Sequence, residues 1–348
     1  MSREKVGGKP IASGGSGISV TDPPRLLVGL RPRPELVTAL ERGLSRVPWC
    51  FTGSDLPRGG ETVEAMLLGS VERELGNFDP RHLDNLRFVQ RVYTGMDGVP
   101  LERFGPTVRF AGNVGAYAPF VSEHAVALAL AAARDLPRAD DQVRKGRLRP
   151  PPEQRLLWRR TAAILGYGEI GRAIADRLSG FGMRIVGLNR TGRMAPGCDA
   201  MYPADRVAEA VHGASFVFDA RPLTRQTADS VDQKVLEAMP ADAVFVNIGR
   251  AGTVREEALF HHLKEHPSFR AALDVWWHED FREGRIEHRF PFASLPNVVA
   301  TPHSAGFGPG VEVYVLDRAI TNLRRFFSGE EPRYIIDRTE YGSMEVSR

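Results

Sequence analysis

Cysteine is nearly absent. Cys50 and Cys198 are the only two in 348 residues and stand far apart, so no disulfide framework is expected and a reducing cytoplasm suits the chain. No apolar run reaches the length of a membrane span. The stretch Met1 to Pro24 is rich in Gly, Ser and charge and carries no secretory h-region, and residues 1–23 are expected to form a disordered extension. Lysine is scarce: Lys5, Lys9, Lys145, Lys234 and Lys264 leave arginine to supply the rest of the 46 basic residues, and net charge is only +3. Arginine excess can follow from genome composition alone and carries little functional weight. The densest basic cluster, Arg144-Lys145-Gly146-Arg147-Leu148-Arg149, precedes Pro150-Pro151-Pro152. It could touch nucleic acid, but no stacking aromatics interleave it, which favours a solvated loop.

Some chemistry is missing as well. No nucleophile-plus-base motif occurs. His261, His262 and His266 crowd one helix, and His262/His266 have the i,i+4 spacing of a metal pair. They lack the HExxH order and have charged flanks, so an exposed helix face is expected and no metal. No internal repeat appears.

Hydrophobic residues make up 42% of the chain and charged residues 26%, enough for two domains with sizeable cores. Short apolar runs occur at Arg25–Leu30, Trp49–Thr52, Ala65–Gly69, Phe88–Tyr93 and Val108–Ala111, with a helix from Pro34 to about Leu44. Phe120–Arg134 is apolar nearly all round and reads as a buried helix, a candidate packing seam between domains or subunits. A loop holding the basic cluster is expected after it. A second series opens at Thr161–Leu165, with later strands at Arg184–Leu188, Phe216–Asp219, Ala243–Asn247, Ala271–Val275 and Val298–Thr301, and a long helix over Gly310–Phe327. The pattern predicts two doubly wound α/β units with parallel sheets.

Gly166-x-Gly168-x-x-Gly171 falls directly after a strand and before a helix, Ile170–Leu178. Gly166 permits a tight turn, Gly168 lets backbone approach a pyrophosphate, and Gly171 allows helix to pack on strand. A ligand-free glycine turn is the alternative, but strand, loop and helix all match a dinucleotide fingerprint. The second strand ends at Asn189-Arg190-Thr191. An acid there would accept from the ribose hydroxyls of NAD, and Asn189 removes its charge. Arg190 offers a donor fork for a 2'-phosphate, with Thr191 and Arg193 beside it. NADP(H) is therefore the expected cofactor, with NAD(H) possible; alternatively Arg190 is a solvated loop residue.

Three further residues follow strands. His303 can give a proton to a carbonyl oxygen and take it back. Glu279 can hold such an imidazole, and Arg250 can engage a carboxylate and polarise the adjacent carbonyl. Each alone is a modest signal. Together, at strand ends where open α/β sheets bind ligands, they suit hydride transfer to a 2-oxo acid.

These stretches resemble the D-isomer-specific 2-hydroxyacid dehydrogenase family. The match is carried by Ile164-Leu165-Gly166-Tyr167-Gly168-Glu169-Ile170-Gly171, Val246-Asn247-Ile248-Gly249-Arg250, Ala272-Leu273-Asp274-Val275 through Glu279, and Leu295-Pro296-Asn297-Val298 through His303. Gln90 to Asp97, Asn113, Val121-Ser122-Glu123-His124, Asn322 and Gly329-Glu330-Glu331-Pro332 extend it from about residue 25 to the C-terminus.

The resemblance implies a flavodoxin-like substrate domain over 24–119, completed by 310–348, and a Rossmann-type dinucleotide-binding domain over 120–309. It implies catalytic roles for Arg250, Glu279 and His303, with substrate carboxylate received by amides around Thr94 and Gly95. Glu169, Ile170, Pro222, Ile248 and Asp274 join the glycines, Asn189, Arg190 and Thr191 as cofactor contacts, Asp274 meeting the nicotinamide carboxamide. Substrate is expected between the domains, and a homodimer through the Phe120–Arg134 helix, with no nucleic-acid or membrane partner.

Departures bear on the substrate. Ala251 precedes Gly252 where the family usually has Gly at once, Asp280 replaces Pro, and Trp276-Trp277 replaces a Phe and a variable residue. Formate-oxidising relatives carry Gln in place of Glu279. No regulatory domain follows the core, so a serine-biosynthetic role is not expected. A reductase of small 2-oxo acids, glyoxylate or hydroxypyruvate first, is the leading expectation. A dinucleotide-sensing, corepressor-like binding protein is the alternative.

Overall fold

The computed structural model describes residues 23–52, 60–69, 78–151, 153–281 and 283–341. Residues 1–22, nearly all of the expected extension, lie outside the described residues. The chain divides into two compact units.

The first unit takes its described residues from 23–93, 98–113 and 312–336. Its strands are β1 (Leu26–Val28), β2 (Trp49–Phe51), β3 (Ala65–Leu68), β4 (Phe88–Arg91) and β5 (Arg109–Ala111), all parallel, in the order β2-β1-β3-β4-β5. Strands β1 and β3 are buried at every position, as expected where helices cover both faces of a parallel sheet. Helix α1 (Pro34–Gly43) starts on Pro34, which needs no amide partner there. Gly43 lets it meet the long helix Val311–Phe327: a methyl at Gly43 would lie 2.3 Å from Cγ2 of Ile320. Buried amides tie the unit together. Asn322 Nδ2 donates to Gln90 Oε1 at 2.7 Å, and Asn113 Nδ2 donates to the carbonyls of Val92 and Val315.

The second unit holds the dinucleotide fingerprint. Its sheet comprises β6 (Thr161–Leu165), β7 (Arg184–Asn189), β8 (Ala200–Pro203), β9 (Phe216–Asp219), β10 (Val244–Asn247), β11 (Arg270–Leu273) and, after an antiparallel ribbon of β12 (Glu279–Asp280) and β13 (Arg285–Ile286), β14 (Val298–Ala300). The order is β14-β11-β10-β9-β6-β7-β8, parallel throughout. Alternate residues sort to opposite faces. Ala162, Ile164, Phe218 and Val246 pack under α2 (Ala118–Arg134) and α4 (Glu169–Leu178). Ala163, Leu165, Val217 and Phe245 pack under α5 (Val207–Val211), α6 (Gln233–Ala238) and α7 (Glu256–Glu265). Phe218 and Phe245 are fully buried, each contributing about 2–3 kcal/mol of apolar burial. The chain adds β7 and β8 outward on one side of β6 and then returns to add β9, β10, β11 and β14 outward on the other. That reversal is where doubly wound sheets open a ligand crevice.

Several expectations are corrected. The loop after α2 starts later than expected: α3 (Leu136–Arg144) forms first, with Pro137 in its first turn, and Lys145 to Pro151, with most of the basic cluster, follow it outside helix and strand. Asp140 pairs with Arg144 and Asp141 with Lys145 at i,i+4 spacing, so two of the basic cluster's charges are neutralised locally. Strand β8 was not anticipated; it is a half-buried edge strand ending on Pro203, where a proline costs no ladder bond. Residues 94–97, 114–119, 310–311 and 337–341, assigned by sequence to the first domain, group with the second. There Asp97 pairs with Arg250 and Glu340 with Arg190. His262 is not on an exposed face: it is 3% exposed, its ring stacked on His266 at 4.2 Å and edge-on to Phe269.

Candidate active site

All candidate residues belong to the second unit. Gly166 has φ +90, and a methyl there would come within 2.9 Å of Arg221 Cγ. A methyl on Gly171 would lie 2.3 Å from the carbonyl oxygen of Gly166. These two glycines are demanded by the protein's own packing. Gly168 differs: a methyl there would have nothing within 4 Å. Gly168 is also the N-cap of α4, with no side chain capping the first turn. Open space faces a helix N-terminus whose amides lack side-chain acceptors, and this fits a pyrophosphate. Ile170 is half-buried, and Glu169 is ion-paired with Arg172.

Asn189, at the end of β7, spends its amide on the loop it begins. Its Oδ1 accepts from the amides of Thr191 and Gly192 at 3.1 and 2.8 Å, and its Nδ2 donates to the Arg193 carbonyl at 2.8 Å. Asn189 therefore shapes the turn that presents Arg190 and Thr191. Arg190 Nη1 donates to Glu340 Oε1 at 2.8 Å. Pro222 is exposed and Ile248 buried, both in loops that leave strand ends.

Between these loops sits a clasp that sequence reading missed. Arg221 donates to both carboxylate oxygens of Asp219, from Nε at 2.9 Å and Nη2 at 2.6 Å, and both side chains are buried. Thr253 Oγ1 lies 2.9 Å from Asp219 Oδ2 and 2.8 Å from the carbonyl of Arg250. The clasp ties the β9 and β10 loops beneath Arg250. Two oppositely charged residues two apart in an apolar strand end, Asp219-Ala220-Arg221, were the available signal.

Arg250 donates from Nε to Asp97 Oδ2 at 2.9 Å and from Nη1 to the Gly249 carbonyl at 2.7 Å. A methyl on Gly95 would stand 3.0 Å from Arg250 Nη2, so the absent side chain admits the guanidinium to the Thr94–Gly95 backbone. Burial disfavours the charge on Arg250, but the Asp97 carboxylate, with Glu279 and Tyr341 behind it, more than offsets this and holds the guanidinium above its ordinary range. Asp97 lay within the segment singled out by sequence, but its partner could not be read there.

His303 faces Glu279 through Nδ1, 3.0 and 2.9 Å from the two carboxylate oxygens. Glu279 Oε1 also accepts the Trp276 amide at 2.8 Å, which fixes the carboxylate. With a carboxylate at Nδ1, the imidazole carries a hydrogen there and turns Nε2 toward any reacting group. His303 has φ 52, in the left-handed region that non-glycine residues rarely occupy. Asp274 holds that turn in place. It accepts from Thr301 Oγ1 at 2.6 Å and from the amides of Ser304 and Ala305 at 2.8 and 3.0 Å.

Trp276 is buried and Trp277 packs against the core. Trp276 Nε1 donates to the Thr301 carbonyl, and Trp277 Nε1 to the Val254 carbonyl while its ring stacks on Phe292. The aromatic beside His303 is Phe281, 5.3 Å away between ring centroids and 62% exposed.

Residues 126–305 match the family model described as D-isomer specific 2-hydroxyacid dehydrogenase, NAD binding domain. Glyoxylate reductase of Pyrococcus furiosus is 31% identical over 289 residues, spanning 80% of this chain and 82% of that protein. The crystal structure of a putative formate dehydrogenase from Pyrobaculum aerophilum superposes with a TM-score of 0.76 at 31% identity, covering 91% of this chain and 100% of that one. An NADPH-dependent glyoxylate/hydroxypyruvate reductase from Sinorhizobium meliloti, solved with citrate, gives 0.72 at 25% identity, covering 91% and 99%.

Proposed function

Because this chain belongs to the D-isomer specific 2-hydroxyacid dehydrogenase family, we propose that it reduces a small 2-oxo acid to its D-2-hydroxy acid, with glyoxylate or hydroxypyruvate as substrate and NADPH preferred to NADH. It is an oxidoreductase acting on CH–OH donors, with a nicotinamide dinucleotide as cofactor. The observation that carries the reading is the two-oxygen contact of Glu279 with Nδ1 of His303, in a unit where Arg250 meets the Thr94–Gly95 segment.

Arg250 and the Thr94–Gly95 amides hold the substrate carboxylate, which leaves the 2-oxo group facing His303. A bound nicotinamide supplies the hydride to C2. His303 Nε2 gives its proton to the carbonyl oxygen, and Glu279 stabilises the ring while that proton is carried. Gly166, Gly168 and Gly171, the start of α4 at Glu169 and Ile170, Pro222, Ile248 and Asp274 form the dinucleotide's cradle. Asn189, Arg190 and Thr191 receive its adenosine ribose, Arg190 pairing with a 2'-phosphate. The protein works as a homodimer in the cytoplasm, paired through the face of α2. Leu136, Val143, Leu148, Leu156 and Trp158, which follow α2 in sequence, are exposed and supply apolar surface for that contact.

The test is a panel of 2-oxo acids with NADPH and NADH, on wild type and His303→Ala. Turnover of glyoxylate or hydroxypyruvate, with a loss of roughly 10²–10⁴-fold in the variant, is expected. Full activity in His303→Ala overturns the mechanism. Tight dinucleotide binding with no turnover of any acid supports the dinucleotide-sensing reading instead.

A further inference from the structure

We propose that Glu340 limits the cofactor preference, supplying from a distant part of the chain the carboxylate that Asn189 lacks beside the ribose site and restraining the 2'-phosphate preference that Arg190 confers. This rests on the reading of Arg190 as the 2'-phosphate residue. Arg190 and Glu340 are 150 residues apart in sequence and 2.8 Å apart in space. Glu340 is the better fixed of the two: its side chain is 28% exposed against 74% for Arg190. The short turn Arg338–Glu340 aims it. Asp337 caps that turn by accepting from the amide and hydroxyl of Thr339 at 2.9 and 2.7 Å. The Glu340 carbonyl then accepts from the amide of Arg225, in the loop that follows β9, at 3.4 Å. Tyr341, next in sequence, lies near enough to Arg250 and Asp97 for their charges to act on its phenol. Residue 340 is thus tied to loops that leave the C-terminal ends of β7 and β9.

The chemistry follows from charge. A 2'-phosphate carries close to two negative charges and seeks the Arg190 fork. It must displace Glu340 to obtain it, and it then meets that carboxylate as a like charge. A ribose 2'-hydroxyl has the opposite relation to Glu340, since it can donate to the carboxylate while Arg190 stays paired. Glu340 therefore opposes NADPH and suits NADH, and the preference for NADPH is held in check by one ion pair.

The experiment measures Kd for NADPH, NADH and 2',5'-ADP, by calorimetry and fluorescence, on wild type, Glu340→Gln, Arg190→Ala and the double variant. Glu340→Gln is expected to tighten NADPH and 2',5'-ADP roughly three- to tenfold, as fits an exposed ion pair, and to weaken NADH, whereas an unchanged Kd for NADH overturns the role of Glu340 as ribose acceptor. Arg190→Ala should weaken 2',5'-ADP about tenfold or more, and Glu340→Gln should then tighten it by a smaller factor than in wild type, since only the like-charge repulsion is left to remove. An unchanged Kd for 2',5'-ADP in Arg190→Ala overturns the reading of Arg190. A weakened Kd there, with equal Kd values for wild type and Glu340→Gln, overturns the role of Glu340 alone.

Discussion

Asp97 accepts the Nε hydrogen of Arg250 at 2.9 Å across 153 residues of sequence. The contact leaves Arg250 oriented before any substrate arrives, with Nη2 beside Gly95. A guanidinium pinned at Nε by Asp97 and at Nη1 by the Gly249 carbonyl retains Nη2 for a carboxylate, and pre-orientation of this kind lowers the entropy lost on binding.

Asp97→Asn is therefore expected to raise KM for the 2-oxo acid and to lower kcat/KM by roughly tenfold, about 1.4 kcal/mol. The side chains are only 29% and 25% exposed, so screening removes part of the pair's strength but not all of it. Steady-state kinetics at saturating cofactor check this, and unchanged constants would show that Asp97 does not position Arg250.

Gly168 and Gly171 should respond differently to a side chain. Gly168→Val has open space to enter, so Tm should stay within about 2 °C of wild type while Kd for a dinucleotide rises at least about tenfold. Gly171→Ala drives a methyl into the Gly166 carbonyl and should lower Tm itself. Calorimetry on both variants separates the two effects. Dinucleotide binding by Gly168→Val with unaltered Kd would show that the loop does not cradle the pyrophosphate.

Asp274 should couple stability to the His303 turn. Burial pushes its carboxyl up, but hydrogen bonds from His124, Thr301 and the amides of Ser304 and Ala305 outweigh it and hold the group below the usual carboxylate range. A depressed carboxyl stabilises the fold above the unfolded value of about 4, and that contribution is lost as pH falls through the folded value. Asp274→Ala is expected to cost roughly 2–3 kcal/mol at pH 7 and to lose most activity, with the stability gap narrowing in acid. Thermal melts from pH 7 to 3 with paired kcat values test it; equal Tm values at pH 7 contradict it.

His262 should make the fold acid-sensitive. Burial, and the neighbouring His266, push its imidazole down to about 4. Neither ring nitrogen has a hydrogen-bond partner among the described residues. Between about 6.5 and 4 the unfolded chain binds a proton that the folded chain refuses, so stability falls with pH across that window. His262→Phe keeps an aromatic against Phe269 and should flatten the decline by on the order of 2–3 kcal/mol. Parallel Tm-versus-pH curves for the two proteins would rule this out.

Much of the second unit was legible because buried parallel strands read as apolar runs bounded by turns. Thr161–Leu165 and Phe216–Asp219 fall as expected, and the glycine fingerprint opens α4. Helix α3 was missed because its residues are mostly polar and it is held by local ion pairs, which hydrophobic period does not register. Strand β8 was missed because an edge strand buries too little to stand out. His262 looked exposed among charged neighbours, whereas its helix turns that one face onto Phe269.

The amino-acid sequence alone determined the two alternating series, the loop Gly166 to Gly171, and the appearance of Arg250, Glu279 and His303 just past strands. These are local properties, set by side-chain period and backbone freedom within a few residues. Tertiary structure alone decided the partners: Asp97 for Arg250, Asp274 for the turn bearing His303, Thr253 for Asp219, and Glu340 for Arg190. It also turned Trp276 and Trp277 inward and left Phe281 beside His303. Strand order and helix packing bring those groups together, and neither the charge nor the spacing of a residue encodes which distant group the fold will set against it.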